Sequence, residues 1–343
     1  MPRPPDLPLI YTSTIGSYSQ PGWLLAARDA IERDEYGPND VEELFQDATR
    51  LALADQEEAG IDVVTEGEMR RVDFNLGFYD RLRGLMRLPP LRKLGAPGHD
   101  MRGQWVVTEK IHAPEGLGIV EEFVFARDYT GRPLKVTCPG PYTLAGRPMG
   151  GDVYADRYAV AEDMADIINT ELKACVEAGA GWIQLDEPSA AVHPDAPERF
   201  VALIEKAVAG VDAYLGMHLC FGNFRGRAVG KRSYSALFPG ILGCPVDQFV
   251  LEFASRELAE CDLWSRYPSD KDLAAGLIDV KNYYIETPED VAERVRRLLD
   301  HVAAERLSVV PDCGFVEMAR WATRAKMQAM VDGCAIVRHE LDG

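Results

Sequence analysis

Basic residues are in the minority in this chain. Its 343 residues include 37 lysines and arginines against 55 aspartates and glutamates, which gives a formal net charge of −18 at pH 7. The basic residues are dispersed along the sequence and form no cluster, so the chain would repel phosphate backbones and anionic lipid surfaces. We therefore expect neither a nucleic acid nor a membrane as a partner.

Long apolar runs are also missing. No stretch approaches the length that spans a bilayer, and the first residues, MPRPPDLP, contain no apolar segment of the kind that directs export. The seven cysteines are odd in number and lack a disulfide-like spacing, which favours reduced thiols in a chain of this length. These absences predict a cytoplasmic protein of enzyme size.

The sequence does contain a regular alternation of strand and helix patterns. Strands are predicted at LIYTSTIGS, IDVVTEGE, LKVTCPGPYT, WIQLDEP, the run from 214 to 220, VDQFVLEFAS, LAAGLIDVKN and LSVVPDCG. Helices are predicted at about 40–59, 154–178, 198–209 and 318–331, and at a segment that begins with the N-terminal signature of Thr287, Pro288 and Asp290. About eight strand-and-helix units are the number that a (β/α)8 TIM barrel requires. We predict a single α/β barrel domain over residues 1–343.

One region interrupts this alternation. Residues 84–132 are at first rich in proline and glycine, and they then contain QWVVTEKIH and VEEFVFARDY, whose alternating pattern predicts a β-hairpin. We interpret the region as an insertion between the second and third strands of the barrel. It is not expected to be a separate domain.

The stretch MHLCFGNF, residues 217–224, contains a candidate metal site. His218 and Cys220 are two positions apart at the end of an apolar run, so on a strand both side chains point to the same face. Glu252 and Cys313, at two later strand ends, would complete a set of one imidazole, two thiolates and one carboxylate, which suits tetrahedral zinc. Taken alone, a His-x-Cys pair is more often a hydrogen-bonded core histidine beside an inert cysteine.

Unusual polar residues follow the ends of many predicted strands. Active sites of TIM barrels lie at the C-terminal ends of the strands, where loops from different strands converge on one mouth. The residues at these ends are Ser17, Glu68, Asp186, His218, Cys220, Glu252, Asp279, Lys281 and Cys313. Their convergence favours a metal site over the purely structural alternative.

A series of motifs runs nearly from end to end of the chain, in the order TSTIGSY, IDVVTEGEMRR, GPYTL, AGAGWIQLDEP, HLCFGNF, LEFAS, IDV and VVPDCGF. In this combination the chain resembles the catalytic half of cobalamin-independent methionine synthase, and more closely its short single-barrel relatives, which include the epoxyalkane:coenzyme M transferases. The resemblance implies a TIM barrel whose catalytic zinc is held by His218, Cys220, Glu252 and Cys313. It also implies a thiol substrate, with Ile15 and Ser17 near its carboxylate and Glu68 and Asp186 facing its amino group.

The chemistry of such a site agrees with the implied role. A free thiol is mostly protonated at neutral pH, whereas the thiolate is the nucleophile, so binding of sulfur to zinc is a direct way to deprotonate it. Two protein thiolates and a carboxylate leave the site negatively charged, which keeps a bound sulfur electron-rich. The resemblance further implies that the carboxylate ligand yields to the incoming sulfur, which makes Glu252 the candidate exchangeable ligand.

Three departures from the synthases concern the methyl donor. The sequence has one barrel where full-length synthases have two. The loop after GPYTL reads AGRPMGG, without the tryptophan that the synthases place against the folate pterin. Where they carry a histidine as candidate proton donor to the departing folate, this sequence has Lys281 after Asp279 and Val280. These departures weaken folate as the donor. They also make Lys281 a candidate to protonate an alkoxide or to bind a sulfonate, the alternative being a structural or solvated lysine.

The motifs and their departures from the synthases leave three candidate functions. The first is zinc-dependent transfer of a methyl group to a thiol, homocysteine by preference, from a donor other than folate polyglutamate, such as a corrinoid protein or a small methylated compound. The second is alkylation of a thiol such as coenzyme M by an epoxide. The third is a barrel that binds zinc or a thiol without turnover. The candidate catalytic residues are Glu252, Asp186 and Lys281, and the oligomeric state is left open, a homo-oligomer included.

Overall fold

The structure is a computed structural model that describes residues 6–71, 76–89, 104–149, 152–193, 196–222 and 231–343. All the predicted site residues lie within these ranges. Residues 90–103 of the predicted insertion lie outside them, as do Asn223 and Phe224 at the end of the candidate metal motif.

The described strands form two sheets. The strands are β1 (Arg83–Leu88), β2 (Gln104–His112), β3 (Val136–Pro139), β4 (Pro148–Met149), β5 (Trp182–Asp186), β6 (Tyr214–Leu219), β7 (Gln248–Glu252), β8 (Asp272–Ile278) and β9 (Leu307–Pro311). Six of them form one parallel sheet in the order β3-β5-β6-β7-β8-β9. The other three form a small sheet in which β1 and β2 are antiparallel and β2 and β4 are parallel.

Helices connect most of these strands. They are α1 (Gly22–Glu32), α2 (Pro38–Glu58), α3 (Ile119–Arg127), α4 (Pro141–Leu144), α5 (Arg157–Glu177), α6 (Pro188–Val192), α7 (Pro197–Val208), α8 (Leu263–Arg266), α9 (Pro288–Leu299) and α10 (Arg320–Asp342). The predicted cap of α9 is confirmed, since the side chain of Thr287 accepts from the N–H of Asp290 at 3.1 Å and Asp290 accepts in return. Within the part of the chain that is described, no helix is both long enough and apolar enough to cross a membrane.

The parallel sheet is the centre of the molecule. Strands β3, β5, β6, β7 and β9 are buried along their whole length. A parallel strand that is buried on both faces has a continuous apolar sequence, because the helices that link parallel strands cover both faces of the sheet. This is why the strand positions could be predicted from short apolar runs between helical patterns.

Isolated parallel bridges extend the pairing beyond both edges of this sheet. Thr12 pairs with Val309 of β9, and the next residue, Ser13, pairs with Val63. Val64 in turn pairs with Leu134, two residues before β3. The first two predicted strands are thus present as bridging segments and not as regular strands.

The predicted hairpin is partly wrong. QWVVTEKIH forms β2, but its antiparallel partner is β1. The segment VEEFVFARDY is not a strand, because most of it belongs to α3. Ile119, Phe123 and Ala126 are buried at helical spacing, and Glu171 accepts the N–H of Ile119 at 2.8 Å at the start of the helix. Adjacent apolar and acidic residues gave this helix an alternating appearance in the sequence.

Candidate functional site

Three neighbouring strands of the parallel sheet carry predicted site residues at their ends. Asp186 is the last residue of β5 and Glu252 the last of β7, and His218 lies next to the end of β6. Asp186 and His218 are paired in register. Parallel strands present their carboxyl ends at the same edge of a sheet, so these three side chains share one face of the molecule.

The structure brings three of the four predicted metal ligands together. The ligand atoms of His218, Cys220 and Cys313 all lie within 4.8 Å of one another. The two sulfur atoms are 3.6 Å apart. Two thiolates bound to one tetrahedral zinc at about 2.3 Å each would lie roughly 3.8 Å apart, so this spacing fits zinc closely.

His218 has a nitrogen available for this group. Its Nδ1 lies 3.3 Å from the carbonyl oxygen of Val250, whereas its Nε2 is buried and has no hydrogen-bond partner among the described residues. Burial disfavours the charged ring, but the neighbouring Cys313 and Asp186 outweigh it and raise the pKa of His218. This buried nitrogen without a partner and the two nearby sulfurs together form a set of donor atoms that suits a soft cation.

The two thiols affect each other's ionisation in opposite directions. The hydrogen bond from Cys220 lowers the pKa of Cys313 well below its usual range, and the same contact raises the pKa of Cys220. Cys313 is therefore the first of the pair to become a thiolate. A nitrogen and two sulfurs are thus already grouped by the protein alone.

Glu252, the fourth predicted ligand, lies beside this group but is not a member of it among the described residues. Its Oε1 contacts Nζ of Lys281 and Oγ of Ser255, and its Oε2 accepts the N–H of Phe221 at 3.1 Å. The side chain of Glu252 is fully buried. Each of its oxygens thus has a protein partner in this structure.

Lys281 is buried and is not solvated. Only 4% of its side chain is exposed, and its ammonium group pairs with Glu252. Burial alone would lower the pKa of Lys281, but the neighbouring Glu252 and Asp312 outweigh it and raise the pKa. Lys281 therefore presents a positive charge to the fourth candidate ligand.

Glu68 occupies a tight turn after the segment that pairs with Ser13. Gly67 and Glu68 have φ values of +84° and +56°, a left-handed conformation that glycine adopts readily and glutamate rarely does. Such backbone strain in a residue that carries a buried carboxylate is typical of functional sites. A Cβ on Gly16 would lie 2.6 Å from Oε1 of Glu68, so the missing side chain at that position makes room for the carboxylate.

The carboxylate of Glu68 is only half satisfied. Its Oε1 accepts from Nη1 of Arg71 at 3.0 Å and from Oγ1 of Thr137 at 2.9 Å. Its Oε2 is buried and has no partner among the described residues. Burial raises the pKa of Glu68 to about 7. The carboxylate thus has one oxygen held in place and one without a partner among the described residues.

The two arginines that follow Glu68 have different roles. Arg71 is buried and also binds Glu122 at 2.7 Å, with Glu66 3.6 Å away. Arg70 instead pairs with Glu42 at the surface, at 2.6 Å. Arg71 is therefore the residue that orients Glu68.

Asp186 is held by a buried amide. Gln184 donates from Nε2 to Oδ1 of Asp186 at 2.7 Å and to the carbonyl oxygen of Ile15 at 2.9 Å. The Oε1 of Gln184 accepts from Nζ of Lys135 at 2.7 Å. Burial raises the pKa of Asp186 to about 6, and burial lowers the pKa of Lys135 to about 7. Asp186 is thus fixed in position and has less solvation than an exposed carboxylate.

Ile15 and Ser17 lie on the loop that follows the first bridging segment. Ser17 is partly buried, its carbonyl oxygen accepts the N–H of Phe315 at 2.8 Å, and a Cβ on Gly314 would lie 1.9 Å from its Oγ. This loop therefore packs directly on the loop that carries Cys313. The side chain of Ile15 packs in a small interior cluster with Val250, Ala274 and Val310. A contact from Ile15 to a substrate would have to come from its main chain.

Comparison with known proteins identifies the family. A model described as the catalytic domain of cobalamin-independent synthase matches residues 10–335. The chain belongs to this family. Methionine synthases from Saccharolobus solfataricus and Sulfurisphaera tokodaii are 34% and 35% identical to it, each over 98% of this chain and over 97% and 95% of their own length. A B12-independent methionine synthase from a Shewanella species, solved in complex with selenomethionine, superposes with a TM-score of 0.84 at 29% identity, over 97% of this chain and 99% of that one. Membership places the protein among methyltransferases of the methionine synthase type.

One residue that positions this cobalamin-independent synthase site was not found from the sequence. Asp312 is buried, and its carboxylate accepts the N–H groups of Phe253 at 3.0 Å, Ala254 at 2.9 Å and Ser255 at 2.6 Å. It thereby joins the chain just before Cys313 to the chain just after Glu252. Its place next to a predicted ligand in VVPDCGF was the signal that could have suggested this role.

Tyr234 was also not found from the sequence. Its hydroxyl donates to the carbonyl oxygen of Leu219 at 2.8 Å and accepts the N–H of Glu252 at 2.8 Å. The ring is buried and lies 4.6 Å from the ring of Phe221. One side chain therefore links the end of β6 to the end of β7, and no local pattern in the sequence indicates it.

Proposed function

We propose that this protein is a zinc-dependent methyltransferase that transfers a methyl group to a thiol, with homocysteine preferred and methionine as the product. The observation that carries the proposal is the group of His218, Cys220 and Cys313, which presents an unpartnered imidazole nitrogen beside two sulfurs. Membership of the cobalamin-independent synthase family supports the same reaction.

We infer that the fold is a closed (β/α)8 barrel formed by one domain. The bridges of Thr12 with Val309, Ser13 with Val63 and Val64 with Leu134 support closure, because they connect β9 to the stretch before β3 through two further segments. Counting these segments with the six regular strands gives the eight that such a barrel needs. Residues 84–132 would then be an insertion on the barrel.

Zinc is the metal that the donor atoms favour. His218, Cys220 and Cys313 would hold it, with Glu252 as a fourth ligand in one state of the site. When bound, zinc supplies a positive charge that lowers the pKa of a coordinated thiol and so provides the thiolate nucleophile.

The protein's own groups would fix the rest of the substrate. Glu68 has one unpartnered oxygen, and Asp186 is held at the end of β5, so together they suit the ammonium group of an amino-acid thiol. Ser17 and the main chain of Ile15 lie on the loop that packs against the Cys313 loop, and we assign them to the substrate carboxylate. With the amino acid held at these points, its thiol would be directed toward the metal ligands.

The methyl donor is a separate question. The loop AGRPMGG lacks a tryptophan to stack on a pterin, and Lys281 replaces the histidine of the folate-dependent synthases. Both features favour a donor other than folate polyglutamate, such as a corrinoid protein or a small methylated compound. Alkylation of coenzyme M by an epoxide has less support, since the ammonium of Lys281 is already paired with Glu252.

Product analysis tests this proposal. The zinc-loaded protein is incubated with homocysteine or coenzyme M and a panel of methyl donors and epoxides, and the thiol is analysed by mass spectrometry. We expect methionine from homocysteine with at least one methyl donor and no product with the Cys313→Ser variant. An alkylated coenzyme M as the sole product would favour the epoxide reaction, and bound zinc without any modified thiol would favour a binding protein.

A further inference from the structure

The carboxylate of Glu252 is bound by a built set of donors beside the other three candidate ligands. Lys281 and Ser255 both contact Oε1, and the N–H of Phe221 donates to Oε2. Neither charged side chain is accessible, since 0% of Glu252 and 4% of the Lys281 side chain are exposed. A contact between two buried charges is fixed by the fold and is not a chance surface pair.

Each partner of this pair is positioned by its own local contacts. The N–H of Lys281 donates to Oδ1 of Asp279 at 2.8 Å, which fixes the turn that delivers the lysine. The segment after Glu252 is fixed by Asp312, which accepts three consecutive N–H groups starting at Phe253. The two residues of the ion pair are therefore held by separate segments, each fixed by its own hydrogen bonds.

The energetic consequence concerns ligand exchange. A buried carboxylate that leaves a metal without a new partner is strongly destabilised, because it loses its counter-charge where solvent cannot replace it fully. In this structure the counter-charge is present, since Lys281 holds Glu252 while His218, Cys220 and Cys313 remain grouped. A displaced Glu252 carboxylate would therefore have a counter-charge already in place.

We propose that Lys281 is a positioning residue that stabilises the carboxylate of Glu252 off the metal and so allows a substrate thiol to take its place. This inference rests on the proposed zinc-dependent function. The thiol would bind as a thiolate after its proton passes to solvent, and the displaced carboxylate would keep its charge against the ammonium of Lys281. Lys281 acts through Glu252 and does not need to touch the substrate.

A double-mutant cycle tests the proposal by thiol binding. Homocysteine binding to the zinc-loaded protein is measured by calorimetry for the unmodified chain, Lys281→Met, Glu252→Gln and the double variant. We expect Lys281→Met to weaken binding about tenfold when Glu252 is present, because the freed carboxylate then lacks its partner. In the Glu252→Gln background the same change should alter binding by less than about twofold, because no carboxylate charge remains to be compensated.

Each other outcome has a defined meaning. An equal loss in both backgrounds would show that Lys281 acts directly on the thiolate, and no loss in either would show that it is not needed for exchange; both results overturn the inference. Failure of the unmodified protein to bind zinc would instead overturn the proposed function. The inference and the function can therefore fail separately.

Two further variants separate positioning from folding. Lys281→Arg keeps the charge and should bind homocysteine within about threefold of the unmodified protein. Lys206→Met removes an exposed lysine that pairs with Asp166 on the outer helices, and it should leave thiol binding unchanged. If Lys281→Met does not fold, the comparison of Lys281→Arg with Lys281→Gln provides the same test, with the loss expected only in the neutral variant.

Discussion

Two regions of the site differ in how their charged groups are satisfied. The sulfur region, formed by His218, Cys220 and Cys313, has few partners for its own donor atoms, and the Nε2 of its histidine has none among the described residues. The carboxylate region, formed by Glu68 and Asp186, is anchored by Arg71 and by Gln184. The sulfur region thus groups donor atoms that have few protein partners, whereas the carboxylate region is fixed by its protein partners, with one oxygen of Glu68 left unpartnered among the described residues.

Under the proposed function, this difference favours a ligand that carries two functional groups. Soft donors that converge on one point favour zinc and sulfur, and buried carboxylates with raised pKa values favour a group that brings a positive charge. A thiol that also carries an ammonium group would satisfy both regions at once. The contrast between the regions is therefore the physical basis for preferring an amino-acid thiol over a thiol without an amine.

The largest expected effect comes from the sulfur region. Cys313→Ser should remove zinc binding and lower methyl transfer by on the order of 10³-fold or more, because a serine hydroxyl does not supply a thiolate ligand. Zinc content by elemental analysis and methionine formation measure the two effects. The matched control is Cys261→Ser, which alters a partly buried cysteine outside the site and should leave both within about twofold. Retention of zinc by Cys313→Ser would contradict the assignment.

A smaller effect is expected in the carboxylate region. Glu68→Gln should weaken homocysteine binding by about 10- to 100-fold, which is the contribution of a hydrogen bond between charged groups. Binding of an analogous thiol that lacks the amino group should change little, and calorimetry with both thiols measures the difference. Glu42→Gln, at the exposed glutamate that pairs with Arg70, is the control and should have no effect. Equal losses for both thiols would show that Glu68 does not meet the amine.

The pH dependence of binding should separate the same two regions. Burial raises the pKa of Asp186 to about 6 and that of Glu68 to about 7, so both carboxyls are largely neutral at pH 5 and charged at pH 8. Only the charged forms attract an ammonium group. The affinity for homocysteine relative to the amine-free thiol should therefore rise roughly tenfold between pH 5 and pH 8. Taking the ratio removes the pH dependence of thiol ionisation, and a flat or falling ratio would count against this role for the carboxylates.

The smallest effect should come from the side chain that links the end of β6 to the end of β7. Tyr234→Phe removes the hydroxyl that joins Leu219 to the N–H of Glu252, and it should lower the free energy of unfolding by about 1–2 kcal/mol. Urea denaturation measures this change. Tyr129→Phe removes an exposed hydroxyl that contacts Arg50, and it should cost almost nothing. A Tyr234→Phe protein as stable as the unmodified one would show that the link is dispensable.

The sequence was sufficient to predict those features of the structure that depend on local periodicity. The pairing of His218 with Cys220 follows from the two-residue period of a strand, and the burial of β5, β6 and β7 follows from their continuous apolar runs. The predicted hairpin was wrong in its second strand because α3 places acidic and apolar residues side by side, and a short helix of this kind resembles alternation. Spacing alone does not distinguish such a short helix from a strand.

Contacts between distant segments could not be predicted in the same way. Asp312 and Tyr234 form hydrogen bonds with main-chain groups that are distant in the sequence, and no motif indicates such partners. The pairing of Lys281 with Glu252 depends on how two loops approach each other at the ends of β8 and β7. The roles of Glu68, Asp186, Ser17 and Ile15 toward a substrate remain predictions for the experiments above.

Zinc uptake by the metal-depleted protein tests the central claim most directly. The protein is stripped of metal under reducing conditions, and zinc is titrated in competition with a chromophoric chelator. We predict one zinc per chain, bound tightly enough to compete with the chelator and lost when Cys220 or Cys313 is replaced by serine. A reduced, folded protein that takes up no zinc would contradict the account.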